Sequence, residues 1–101
     1  MNVGGEEMNL YRNTGSSTTI ITPARYRESM GKVVAAKHYL RATGSAGYMD
    51  TKGMFKTTLT TASGASTRTW VYVVAGTRPG ALLGDSDAEA LGIASTNQEG
   101  S

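Results

Sequence analysis

The sequence predicts an all-β domain with one or two short helices, and three observations carry that reading. Threonine occurs fourteen times and glycine thirteen times in 101 residues, a composition suited to short strands joined by tight turns. Two runs of strand-like pattern, Met54–Thr61 and Thr67–Ala75, flank a turn-rich connector, Ala62-Ser63-Gly64-Ala65-Ser66. Helix signals are confined to two brief stretches. The length fits one domain, with a core over about residues 3–93 and a polar tail at 94–101.

The elements follow in order. Met1–Val3 lead into a Gly4-Gly5 turn. Thr22-Pro23 reads as an N-cap followed by proline at the first helical position, where its missing N–H costs nothing. That helix is expected to end near Met30-Gly31. Between Leu40 and Phe55, Gly44 and Gly47 flank Ser45-Ala46, which predicts a hairpin with a small tip. An ordinary surface hairpin is the plain reading; a tip able to close over an extended ligand is the functional one. In the first strand Phe55, Thr57, Leu59 and Thr61 alternate with Lys56, Thr58 and Thr60. The second is apolar on both sides, with Trp70, Tyr72 and Val74 opposite Val71, Val73 and Ala75. It is therefore expected to be central and covered on both faces. Leu82-Leu83-Gly84 reads as a short strand. A helix then begins at Asp85 or Ser86, with Ser86 and Glu89 as a capping box and Gly92 as the stop. The tail has little to pack, and its final Gly-Ser is expected to be a cloning remnant.

Composition excludes several chemistries. There is no cysteine, which removes disulfides, thiol nucleophiles and thiolate metal sites and fits a reducing compartment. The single histidine, His38, cannot build a multi-histidine metal site and reads as a surface or packed residue. No apolar run is long enough for a transmembrane helix, and no signal peptide is visible. Asp85, Asp87 and Glu89 are explained by the helix dipole rather than by a cation. The five methionines read as packing filler. Asp50-Thr51-Lys52-Gly53 reads as a connection between strands.

Three segments together resemble the retroviral and retrotransposon aspartic proteases, the retropepsins. Leu10-Tyr11-Arg12-Asn13-Thr14-Gly15-Ser16-Ser17 is similar to their catalytic loop. The hairpin Thr43-Gly44-Ser45-Ala46-Gly47 resembles their flap. Ala81–Gly92, an apolar pair and glycine followed by a short helix, resembles their ending. The Thr-Pro segment and Val71-Tyr72-Val73-Val74 suit the gypsy-type retrotransposon branch. The resemblance covers roughly Val3–Ile93 and implies a closed β-barrel protomer with a flap hairpin. It implies an intracellular endopeptidase that processes a polyprotein, needs no cofactor or metal, and works as a homodimer because one chain supplies only one loop. It assigns Asn13, Thr14 and Gly15 to the catalytic loop. Ser16, Thr43, Gly44, Ser45, Ala46, Gly47, Leu82 and Leu83 fall to the flap and the substrate groove.

The departure falls at the chemistry. The catalytic aspartate position is Asn13. Aspartic proteases use two carboxylates sharing one proton, one as base on water and one as acid on the scissile carbonyl. An amide keeps the shape but cannot exchange that proton, so the resemblance implies an inactive or severely impaired chain. An engineered substitution, which the otherwise intact loop favours, and a natural pseudo-protease used as a dimerisation or peptide-binding module both remain open. Arg12 puts a charge where the family pattern is apolar, so it must reach water or a partner. A rival function, a small nucleic-acid-binding β module, draws on Arg25, Arg27, Lys32, Lys37 and Arg41 with Tyr26 and Tyr39. The net charge of +2 argues against it, and nucleic acid is the weaker expectation.

Overall fold

A computed structural model of the chain describes residues 1–13, 17–36, 51–75 and 80–93. The Gly4-Gly5 turn forms as the sequence predicts. Both glycines take positive φ, 57° and 101°, the pairing a two-residue hairpin loop demands. The turn joins β1 (Asn2–Val3) to β2 (Glu6–Glu7). A Cβ on Gly4 would also collide with the Thr57 hydroxyl and the Met30 backbone.

The two patterned runs become β5 (Thr51–Thr60) and β6 (Ser66–Val74), an antiparallel hairpin running from Thr51↔Val74 to Thr60↔Ser66. Phe55 and Leu59 are wholly buried and Thr57 nearly so, while Lys56 on the other face is exposed. The expected alternation holds because β5 packs one face on the core and shows the other to water. Thr61 organises the connector: its N–H donates to the Ala65 carbonyl at 2.8 Å and its hydroxyl accepts from the Ala65 N–H at 3.2 Å. Thr51 and Gly53 lie within β5, with a register irregularity between them. The Thr51–Gly53 part of the expected connection is therefore strand, the extra residue being absorbed as a bulge.

Three shorter strands complete the sheet: β3 (Tyr11–Asn13), β4 (Thr19–Ile21) and β7 (Ala81–Gly84). The order is β2-β1-β5-β6-β4-β7-β3. β6 is internal, between β5 and β4, as predicted. It is not covered along both faces, because Trp70 stays 41% exposed. β7 enters between the consecutive strands β3 and β4, parallel to the first and antiparallel to the second. The described strands make a curled half-barrel whose edges, β2 and β3, do not pair with each other. They do not make the closed barrel the resemblance implied. Each edge strand is two or three residues long, and β2 carries Glu6 and Glu7, a charged edge that discourages further pairing.

The concave side holds the core: Val3, Leu10, Ile21, Phe55, Leu59, Val71 and Leu83, together with Met1 and Met30. α1 (Asp85–Ala90) closes it through Ala88 and Leu91. Its end is a full Schellman motif. Ile93 N–H donates to the Ala88 carbonyl at 2.9 Å, Gly92 N–H to the Glu89 carbonyl at 3.1 Å, and Gly92 sits at φ 75°. The helix begins at Asp85, one of the two expected starts. Gly84 is the N-cap, so Ser86 lies inside the helix and the Ser86–Glu89 box does not form.

The Thr22-Pro23 helix is absent. Arg25 N–H bonds the Thr22 carbonyl at 3.0 Å, making a turn, and Arg27 then adopts an extended conformation (φ −132°). Only a single 3-10 turn, Glu28–Met30, follows. Arg25, Arg27 and Glu28 are all exposed, so no apolar stripe existed to hold a helix on the core. Instead the Tyr26 ring packs on Phe55, 5.1 Å between centroids, and its hydroxyl donates to the Gly31 carbonyl. Among the described residues, no helix is long and apolar enough to cross a membrane.

Candidate active site

Two of the segments that carried the resemblance meet at the end of β7. The register pairs Tyr11 with Leu82, Arg12 with Leu83, and Asn13 with Gly84. On the other side of β7, Ile20 pairs with Leu82 and Ile21 with Ala81. β3 and β4 therefore flank β7, two strand spacings or about 9.6 Å apart. Gly84 is what lets Ser17 and Thr18 pass close to the end of β7. Its backbone is extended and unstrained (φ −72°, ψ 157°). A Cβ there would lie 2.5 Å from the Ser17 carbonyl oxygen and 2.6 Å from the Thr18 carbonyl carbon. The constraint is space, not conformation.

Two polar contacts tie this strand end to α1. The Gly84 N–H donates to the Thr19 hydroxyl at 3.0 Å, and that hydroxyl donates to the Asp87 carboxylate at 2.5 Å. Thr19 and Asp87 are both buried. One side chain thus joins β4, the last residue of β7 and the first turn of the helix. The second contact involves Arg12. Its guanidinium donates to Asp85 at 2.8 Å and, at the long limit of 3.5 Å, to the Ile93 carbonyl. The Arg12 side chain is 10% exposed and that of Asp85 40%. Nε of Arg12 is buried and has no acceptor among the described residues. The charge preceding the loop has found its partner at the opening of the helix rather than in water. Asp85 and Asp87 also lie in the first turn, where the helix dipole favours them.

The other expected site residues divide clearly. Thr14, Gly15 and Ser16 lie outside the described residues, as do Thr43, Gly44, Ser45, Ala46 and Gly47, and His38. Leu82 and Leu83 do not act as a pair. Leu83 is fully buried in the core, while Leu82 on the opposite face of β7 is only half-buried. Leu83 therefore packs the interior and does not line a groove, because adjacent strand residues point to opposite sides. Of the rival basic cluster, Lys37, Tyr39 and Arg41 lie outside the described residues. Tyr26 is half-buried, its ring packed at a tilt on Phe55. Arg27 is turned back on its own backbone, onto the Ala24 and Tyr26 carbonyls.

Sequence reasoning did not find Thr19 or the Arg12–Asp85 pair. Thr19 sits beside Ile20-Ile21, where threonine is an ordinary strand residue. Asp87 is accounted for by the helix dipole alone. No local signal marks a contact between residues 68 or 73 positions apart.

Comparison with family models, with curated proteins and with solved structures finds no match to this chain.

Proposed function

We propose that this chain is a protomer of a retropepsin-like aspartic endopeptidase, with its catalytic aspartate position occupied by Asn13. The observation that carries the reading is the parallel pairing of Asn13 with Gly84. It brings Asn13, the first residue of the Asn-Thr-Gly segment, and the Leu-Leu-Gly-helix segment, some seventy residues apart, to one strand end. Both had suggested the family independently of any contact between them.

In this reading two protomers face each other across a twofold axis and each contributes one loop. Gly84 makes room for Ser17 and Thr18, and the Thr19–Asp87 contact holds the helix behind it. A peptide lies extended in the shared groove and is bound by strand-like hydrogen bonds. Cleavage needs a base to activate water and an acid to protonate the carbonyl. Two asparagines supply neither.

The test compares this chain with Asn13→Asp in peptide cleavage at acidic to neutral pH. General acid and base groups each contribute about 10²–10⁴-fold, so the aspartate form should be faster by at least about a hundredfold. Equal rates would refute the assignment of Asn13. Sedimentation of both forms is the second arm. Replacing facing carboxylates by amides removes like-charge repulsion, so this chain should dimerise at least as well as Asn13→Asp. A monomeric chain beside a dimeric variant would contradict the twofold arrangement. The alternative, a natural pseudo-protease, requires peptide binding by this chain without cleavage by either form.

A further inference from the structure

We infer that the outer face of the β5–β6 hairpin is a binding surface for single-stranded nucleic acid. This surface is separate from the strand end described above and does not depend on the protease reading. Among the described residues two large hydrophobic side chains stand exposed, Val34 at 40% and Trp70 at 41%. Both belong to this face. Val34 bridges Met54, and Met54 is paired with Tyr72. The next row pairs Lys56 with Trp70, and the one after it Thr58 with Arg68. Opposed residues, and alternate residues along a strand, project from the same side. The face thus presents an indole and a half-buried phenol with two exposed cations, Lys56 and Arg68.

Charge selects the occupant. Between Thr51 and Gly84 the sequence carries Lys52, Lys56, Arg68 and Arg78, and no aspartate or glutamate. The modest net charge of +2 therefore conceals a segment of one sign. Lys56 Nζ stands 5.9 Å from the Trp70 ring centroid, within cation–π range. A base stacking on the indole would release that ammonium to the adjoining phosphate. Arg68 lies one row along, about 7 Å by strand geometry, where it can meet a second phosphate. An open aromatic flanked by cations and free of carboxylates is how proteins hold single strands without reading sequence. An anionic bilayer needs more cations than this, at about 1 kcal/mol each.

The experiment follows binding of labelled oligothymidylate by anisotropy and by quenching of Trp70, which is the chain's only tryptophan. Two phosphate contacts on a single strand predict that affinity falls about sevenfold between 50 and 200 mM salt. Lys56→Gln/Arg68→Gln should flatten that dependence. Trp70→Ala should weaken binding about tenfold while Trp70→Phe largely retains it, with circular dichroism unchanged in every variant. Three results would overturn the inference. One is no binding at 50 mM salt. Another is equal binding of polyglutamate or phosphatidylserine vesicles. The third is oligonucleotide affinity indifferent to these substitutions.

Discussion

Thr19→Val isolates the contact that positions the candidate site. Valine matches threonine in shape, so the substitution removes a hydroxyl and leaves no cavity. Two bonds are lost in a region where Thr19 is 1% exposed and Asp87 7%. A hydrogen bond to a charged group contributes about 1.5–3 kcal/mol, and an orphaned buried N–H costs about 1–3 kcal/mol. Partial access of water to Asp87 recovers some of this, so the expected loss is about 3 kcal/mol, roughly 150-fold in the folding equilibrium. Small domains hold only about 5–15 kcal/mol in total. Urea unfolding followed by far-ultraviolet circular dichroism measures the loss directly. Thr19→Ser keeps both bonds and gives up one methyl, about 1 kcal/mol. Thr19→Val combined with Asp87→Leu removes the stranded carboxylate and should recover part of the loss. Were Thr19→Val as stable as Thr19→Ser, the hydroxyl would not be what joins β4 to the helix, and the account of the site's scaffold would fail.

Three further substitutions probe the strand end and the helix. Asp85→Ala leaves the Arg12 guanidinium nine-tenths buried without its carboxylate; because Asp85 itself is partly exposed, the cost should be about 1–2 kcal/mol rather than the 3–5 of a fully buried pair. Thermal melts read both: Arg12→Leu should be nearly neutral, since it restores an apolar side chain and leaves an acid that water can reach, and a silent Asp85→Ala would reduce the pair to an ordinary surface contact. Gly92→Ala should cost about 1 kcal/mol, because a Cβ there meets nothing within 4 Å and only the positive φ of 75° is penalised. A larger loss in denaturant titration would mean that the helix end packs more tightly than its surroundings show.

Much of the fold is written in local pattern. Period-two alternation across Phe55, Thr57 and Leu59 identifies β5 and its buried face. The Gly4-Gly5 turn and the glycine ending α1 are legible because each needs a backbone that other residues rarely adopt. The Thr22-Pro23 signal failed for the complementary reason. A cap and a proline can start a helix, but only an apolar stripe keeps one on the core, and Arg25, Arg27 and Glu28 offer none. Local pattern also suggested that β6 would be covered on both faces, yet no described element lies over Trp70.

By itself the sequence determined the two long strands, the short one at Leu82-Leu83-Gly84, the Gly4-Gly5 turn, and that residue 13 is an amide. Tertiary structure decided that β7 enters between β3 and β4, that Arg12 is answered by Asp85, and that Leu83 faces inward while Leu82 does not. These depend on contacts between segments far apart in the chain. Pairing partners and buried polar contacts are chosen by the collective packing of the sheet, and a single residue's neighbours in sequence carry no record of that choice.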